Sequence, residues 1–368
     1  MKFAKEKIRE AAMAFALAGD IVSIERYGSG HINDTFRMVT QGKQGEKVYI
    51  LQHMNGDVFD DCDQLMSNVQ RVTAHLADKI EKQGGDPERE TLQVVPTKTG
   101  KAYHRDENGD GWRVYPFITN ATSYDRPDTP EKFRQSGLAF GKFQYLLADF
   151  PAADLYETII NFHNTVDRFA KFKHAVEQDV MGRAKDVQEE IAFVLNREQD
   201  CAFFGDLLAK GEVPLRVTHN DTKLNNVLFS IDTGEAICVI DLDTVMPGFA
   251  AHDFGDAIRF GASTGAEDEV DLSKISCSMQ MFEAYLQGFL KGCGGRLTRK
   301  EMETLPMGAK IMTFECGMRF LTDYLEGDVY FRTHREGHNL DRARTQFKLV
   351  ADMETKWEEM SIIVEKYL

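Results

Sequence analysis

The run His219-Asn220-Asp221-Thr222-Lys223-Leu224-Asn225-Asn226 puts a carboxylate, a lysine two residues on and a carboxamide five residues on into one polar stretch. After a short hairpin, Cys238-Val239-Ile240-Asp241-Leu242-Asp243 ends an apolar strand on a second carboxylate. These residue types at this spacing suit transfer of a phosphoryl group from ATP to a hydroxyl. Asp221 can orient the hydroxyl and accept its proton. Magnesium takes hard oxygen ligands and keeps several waters, so Asn226 and Asp241 from neighbouring segments suffice to hold it. Lys223 would offset charge on the group in transit. His, Asn and Asp are also common in ordinary polar turns, but such a turn has no need of the Asp241 strand.

A decoy lies close by. His252-Asp253-Phe254-Gly255-Asp256 contains a literal Asp-Phe-Gly. A metal aspartate ends a buried strand, and Ala236-Ile237-Cys238-Val239-Ile240 reads as one, whereas Pro247-Gly248-Phe249-Ala250-Ala251 reads as a loop. Asp253 is therefore expected to cap the next helix or to brace the catalytic loop.

The elements that position these residues divide the chain in two. Residues 21–27, 35–39 and 47–52 read as strands by their β-branched and aromatic content. A helix from about Asp60 to Lys82 follows, with Leu65, Val69, Val72, Leu76 and Ile80 on one face. Residues 91–95 and 112–118 read as two further strands. Three strands, a helix and two strands make a small antiparallel-sheet lobe over 1–118, with Pro116, Phe117 and Ile118 as a hinge whose backbone could read an adenine edge. Residues 119–368 are mainly helical, with periods over 133–147, 180–195, 272–290, 307–325 and 340–364. Ile311, Phe314, Met318 and Leu321 mark the buried stripe of the fourth, and Phe347, Val350, Trp357 and Met360 that of the fifth. The expected fold is α+β and bilobal, of the protein-kinase-like kind.

Between the first two strands, Gly28-Ser29-Gly30 could bring backbone amides close to phosphates, although a Gly-Ser-Gly turn is most often only a turn. His31 and Asn33 follow, facing phosphate or sugar.

A net charge of −15 over 368 residues argues against nucleic acid as a partner, since phosphate-backbone binding rests on Lys and Arg patches. Six cysteines without a Cys-x-x-Cys pair signal neither zinc nor a disulfide framework. The start carries no signal-peptide stretch, and no segment has the ~18 apolar residues of a membrane span. A cytoplasmic, monomeric protein is expected.

The catalytic loop and the Ile240-Asp241-Leu242-Asp243 strand resemble the aminoglycoside phosphotransferase-like superfamily, which also holds choline and homoserine kinases. The longer set resembles its N-acetylhexosamine 1-kinases more closely. That set comprises Gly28 to Asn33, His219 to Asn226, Ile240 to Gly248, Asp253 to Asp256, Glu315 to Leu321 and Asp323 to Phe331. The resemblance implies ATP-dependent phosphorylation of the anomeric hydroxyl of N-acetylglucosamine or N-acetylgalactosamine, with Asp221 as base. It places the sugar pocket at Ile24, His31, Phe260, Arg319 and Tyr330, and Asn33, Asp243 and Thr244 join the expected substrate-binding set. Arg319 could instead pair with Asp323 along its own helix.

One departure from the wider kinase pattern stands out. Where a phosphate-binding lysine normally sits, the third strand has Gln52, and the helix that usually supplies its glutamate offers Gln70. An amide pair is expected there, with Gln52 donating to phosphate without charge and more of the charge offset left to magnesium and Lys223.

Overall fold

Strand-forming residues at one end and long apolar stripes beyond them give two layers of different make. The computed structural model describes residues 3–28, 33–56, 58, 59 and 61–368. Helix α1 (Lys5–Met13) precedes strands β1 (Asp20–Arg26), β2 (Asp34–Gly42) and β3 (Gly45–Met54); α2 (Cys62–Lys82) and the single turn α3 (Pro87–Glu90) follow, then β4 (His104–Arg105) and β5 (Gly111–Pro116). The five strands form one antiparallel sheet in the order β1-β2-β3-β5-β4.

Alternation along the strands divides this sheet into two faces. Phe36, Met38, Leu51, Trp112 and Val114 pack on α1 through Ile8, Ala11 and Ala12. Thr35, Ile50, Gln52, Arg113 and Tyr115 point the other way, Gln52 standing directly opposite both Thr35 and Arg113. The α2 stripe is buried as its spacing predicts, Leu65, Val69 and Val72 completely. Asp61 caps this helix by accepting from the N–H groups of Asp63 and Gln64.

Residues 91–95 do not form a strand. They run beside β5 with one ladder-like bond, Val95 N–H to Val114 O at 2.9 Å, and Pro96, which has no N–H, ends the run. The edge position goes to β4.

The second part begins with β6 (Ala121–Thr122) and α4 (Pro130–Leu146), then α5 (Thr165–Gln178), α6 (Gln188–Leu195) and α7 (Phe203–Ala209). β7 (Arg216–Thr218), β8 (Val227–Ser230), β9 (Ala236–Val239) and β10 (Met246–Gly248) frame the catalytic segment; β6 pairs with β8, β8 with β9, and β7 with β10. The rest is helical: α8 (Ala250–Gly261), α9 (Met279–Cys293), α10 (Arg299–Glu303), α11 (Leu305–Glu326), α12 (His338–Thr355) and α13 (Trp357–Glu365).

Several expected helices have different bounds. The apolar period over 180–195 yields helix only from Gln188, and α5 was not anticipated. The period over 272–290 starts as one 3-10 turn, so that α9 begins at Met279 behind its Ser278 cap. The long period over 340–364 breaks at Lys356, whose Nζ leaves the helix path to bind Ser276, Cys277 O and Asp352. Trp357, at the restart, is 37% exposed rather than part of the stripe. No helix among the described residues is long and apolar enough to cross a membrane.

Helices α4 and α9 meet almost backbone to backbone. A Cβ on Gly288 would lie 1.9 Å from Arg134 O, and one on Gly137 2.4 Å from Tyr285 O. This pair and α8 against α11 form the platform beneath the catalytic segment.

Candidate active site

The catalytic loop is held mainly from below, by backbone contacts. Asp253, in the first turn of α8 and fully buried, accepts from His219 N–H at 2.9 Å, Asn220 N–H at 2.8 Å and Gln144 Nε2 at 2.8 Å. Asp256, one turn on, accepts from Thr222 N–H at 2.9 Å, and Thr222 Oγ1 donates to Asp253 O. The Asp-Phe-Gly aspartate thus braces the loop and does not cap the helix, whose N-cap position is Phe249. His219 is buried and bonds through Nε2 with Ile240 O at 2.9 Å, joining the loop to the strand that carries Asp241.

On the upper side of the loop, Lys223 Nζ lies 2.8 Å from Asp221 Oδ2, and Asn226 Nδ2 donates to Asp221 Oδ2 at 3.0 Å. Burial alone would raise the Asp221 carboxyl; Lys223, His219 and Asn226 hold it below the ordinary value. Burial disfavours the charge on Lys223, but Asp221, Asp241 and Asp256 raise its ammonium above the usual range. The result is an ionised carboxylate beside a firmly protonated lysine.

Asp241 has a left-handed backbone, φ 62°. Its side chain opens onto a cleft, and its carboxylate accepts no hydrogen bond among the described residues. The side chain is exposed to the cleft, yet the surrounding cleft walls, then Asp243 and Asp221, push it up to about 6 against the pull of Lys223 and Arg113, with water in the cleft screening part of that rise. An acid with no hydrogen-bond donor at its carboxylate is suited to a cation. Asn226 turns its amide N–H groups to Asp221, and among the described residues its carbonyl oxygen accepts no hydrogen bond and the neighbouring Asn225 Oδ1 is buried without a partner. One carboxylate with carboxamide oxygens is a hard-oxygen set, which fits magnesium. Asn225 was not among the residues expected there.

The cleft, of about 460 Å³, is lined by Gly28, Gln52, Pro116, Phe117, Ile118, Asn225, Asn226 and Asp241 among others. Gly28 has φ +76°, a conformation that favours glycine. Ser29, Gly30 and His31 lie outside the described residues. Phe117 gives its N–H to Val48 O, so among the described residues the hinge N–H without a partner is that of Ile118.

The expected amide pair does not form. Gln70 is exposed on the far side of α2. Gln52 is used at both ends, Nε2 donating to Thr35 Oγ1 at 3.1 Å and Oε1 accepting from Arg113 Nε at 3.0 Å. Arg113 is 1% exposed and bidentate to Asp243, with Nη2 to Oδ2 at 2.9 Å. Asn33 Nδ2 donates to the same Oδ2 at 2.7 Å, and Asn33 Oδ1 accepts from Asn55 N–H. Asn33 and Asp243 are thus committed to one another and not turned to a substrate. Thr244 is buried, with Oγ1 donating to His219 O at 2.7 Å. Arg113 escaped sequence reading; its one signal was a lone charge between Trp112 and Val114 in an otherwise buried strand.

Past Asp221, His163 bonds Asn220 O through Nε2 at 3.1 Å and Glu315 through Nδ1 at 2.8 Å, and Thr165 Oγ1 donates to Glu315 at 2.6 Å. Burial opposes the Glu315 charge, but His163, Thr165 and Arg319 bring its carboxyl down to about 2. One turn along α11, Arg319 lies 5.5 Å from the Phe162 ring, 5.7 Å from Tyr330 and 5.4 Å from Phe331. It has no ion pair among the described residues, Asp323 included. Asp323 is taken by the N–H groups of Val329, Tyr330 and Phe331 and by Asn339, which fixes the loop that carries Tyr330.

One expected pocket member stands apart from this cluster. Ile24 is opposite Met38 and therefore on the α1 side of the sheet, away from the cleft. Phe260, the last residue but one of α8, has Arg259 over its ring at 4.1 Å.

A small antiparallel sheet over a helical body, with a catalytic loop and a carboxylate-tipped strand facing the cleft between them, defines a phosphotransferase of the protein-kinase-like fold. The chain belongs to the phosphotransferase enzyme family, whose family model matches residues 23–275. Its fold is similar to that of an aminoglycoside phosphotransferase from Alicyclobacillus acidocaldarius, at 12% identity over 97% of this chain and 96% of that one, TM-score 0.61. A spectinomycin phosphotransferase solved with ADP and spectinomycin is similar over 99% of both chains, at 13% identity and TM-score 0.56. A choline kinase from Cryptosporidium parvum is similar over 94% of this chain and 92% of its own, at 13% identity and TM-score 0.54.

Proposed function

We propose that the protein transfers the γ-phosphoryl group of ATP to the anomeric hydroxyl of an N-acetylhexosamine, N-acetylglucosamine or N-acetylgalactosamine, giving the sugar 1-phosphate. Residues 1–118 act as the nucleotide-covering lobe and residues 119–368 carry the catalytic loop and the acceptor pocket. The chain works as a cytoplasmic monomer, without nucleic acid or membrane. The observation that carries the acceptor assignment is Arg319, a guanidinium framed by Phe162, Tyr330 and Phe331 with no carboxylate partner among the described residues. Arg168 lies near it and, among the described residues, is likewise bonded only to a carbonyl, Phe162 O; burial first and Arg319 second lower its pKa. Glu315, one turn from Arg319, offsets part of this positive charge, and the two guanidinium groups, neither in an ion pair among the described residues, disfavour a cationic acceptor and offer donors to sugar or acetamide oxygens.

In the reaction Asp221 holds the sugar hydroxyl in line and accepts its proton as the oxygen bonds to phosphorus and ADP departs. Lys223 keeps Asp221 ionised and offsets charge on the moving group. Asn226 and Asp241, with Asn225 beside them, would hold magnesium, which supplies charge neutralisation across the phosphates when bound. Gly28 and the hinge at Pro116, Phe117 and Ile118 take the nucleotide.

The test is an ATP-consumption screen with magnesium against N-acetylglucosamine, N-acetylgalactosamine, glucose, galactose, choline, homoserine and an aminoglycoside. Turnover on the N-acetylated sugars is expected. Turnover on choline, homoserine or the aminoglycoside, and none on the sugars, would replace this reading with that of another small-acceptor kinase of the family.

A further inference from the structure

The buried cation that β5 supplies is Arg113, and it does not face the cleft as a phosphate ligand would. Its guanidinium is 1% exposed, and the donors that matter are already spent: Nε on Gln52, Nη1 and Nη2 on the two oxygens of Asp243. Its partner lies 130 residues away, two positions past Asp241. The same Asp243 oxygen also takes Asn33 Nδ2, at the C-terminal end of the glycine loop. Gln52 is steadied in turn by Thr35 on β2. One buried ionic pair therefore joins β2, β3, β5, the end of the glycine loop and the turn that carries Asp241.

We propose that Arg113 and Asp243 are positioning residues, a forked latch that sets the distance between the nucleotide-covering sheet and Asp241 and so fixes where the nucleotide phosphates sit against the metal site. This rests on the nucleotide reading above. A forked pair suits the task because it fixes both distance and rotation, whereas a single ammonium fixes only distance. A purely structural role is the competing account, since removing one member of any buried pair is destabilising while replacing both can be neutral. The lobes have an independent tie: Asn68 on α2 donates to Tyr156 O at 2.8 Å and Val245 O at 3.2 Å. The fold is thus expected to survive loss of the latch, and the phosphate geometry is not.

The experiment compares wild type, Arg113→Met/Asp243→Asn, Arg113→Lys and Gln52→Met by thermal unfolding, by calorimetric binding of ADP with magnesium, and by steady-state kinetics. The double variant is expected to unfold near the wild-type temperature yet bind magnesium–ADP at least ~10-fold more weakly, with the KM for sugar almost unchanged. Arg113→Lys, which keeps the charge and loses the fork, should retain about a tenth or less of turnover, and Gln52→Met should weaken ADP binding about 3- to 10-fold. Wild-type ADP affinity and turnover in the double variant would overturn the latch and leave a structural pair. Should that variant fail to fold, unchanged ADP binding in both Arg113→Lys and Gln52→Met would do the same. Absence of magnesium-dependent ADP binding by the wild type would instead overturn the nucleotide reading beneath the proposal, and since no acceptor is present, that result is independent of the sugar assignment.

Discussion

Lys223 Nζ sits 2.8 Å from Asp221 Oδ2, so the residue expected to neutralise the moving phosphoryl group also keeps the proposed base ionised. Asp221→Asn should keep the fold and ADP affinity and lose turnover by ~100- to 10,000-fold, the usual reach of a general base. Thermal unfolding, calorimetry and kcat check this together; kcat within tenfold of wild type would remove Asp221 from the role of base.

Lys223→Ala is expected to cost more in kcat than in ATP binding, and to move the acid limb of the pH–rate profile upward. The sign follows from the pair. The native Asp221 carboxyl lies below its ordinary value, so its stabilising contribution is present above that value and is lost as pH falls through the lowered native one. Without Lys223 the carboxyl protonates at higher pH, and activity fails earlier on acidification. An acid limb that stays in place would show that another group sets it.

Asp241 has the opposite sign. Its native carboxyl is raised to about 6, so in the metal-free protein it is increasingly protonated below that pH, and magnesium–ADP affinity should fall between pH 7 and 5. Because the Asp241 carboxylate is exposed to the cleft and screened by water, Asp241→Asn should leave Tm almost unchanged while abolishing magnesium dependence. Asp253→Asn should do the reverse. Each Asp253 oxygen accepts a backbone N–H, so an amide there leaves one donor unmet at ~1.5–3 kcal/mol and lowers Tm. Calorimetric magnesium titration and thermal unfolding of both variants separate the two aspartates.

Arg319→Ala should raise the KM for the sugar by about 10- to 100-fold, the worth of a hydrogen bond from a charged donor, and leave ADP affinity untouched. Asp323→Asn should raise the same KM by a smaller factor, because it loosens the three amides of the Tyr330 loop without removing a sugar contact. Equal KM values for Arg319→Ala and wild type would take Arg319 out of the acceptor pocket.

Gly288→Ala tests the platform. A methyl placed 1.9 Å from Arg134 O forces α4 and α9 apart, at a cost of ~1–3 kcal/mol or more, and denaturant unfolding should show the loss with the m-value unchanged.

Local pattern alone determined a good deal of this protein. Five-residue spacing placed Asp221 and Asn226 together, the apolar run before Asp241 set it at a strand end, and the three- and four-residue stripe of α2 was buried as read, because each of these properties is decided by neighbours within a turn or a strand. Tertiary structure alone decided what Gln52 touches. The alternation of β3 and β5 puts Gln52 and Arg113 on one face, but no local signal says that a carboxylate 130 residues from Arg113 will meet it, or that Gln70 will face solvent instead of Gln52. The faces of β1 and the break at Lys356 were hidden for the same reason: Ile24 takes its side from pairing with Met38, and Lys356 leaves its helix for Ser276 and Cys277. Sequence periodicity records which residues share a face, while the partner that covers the face, and the charge that neutralises a buried ion, come from segments brought together only by the folded chain.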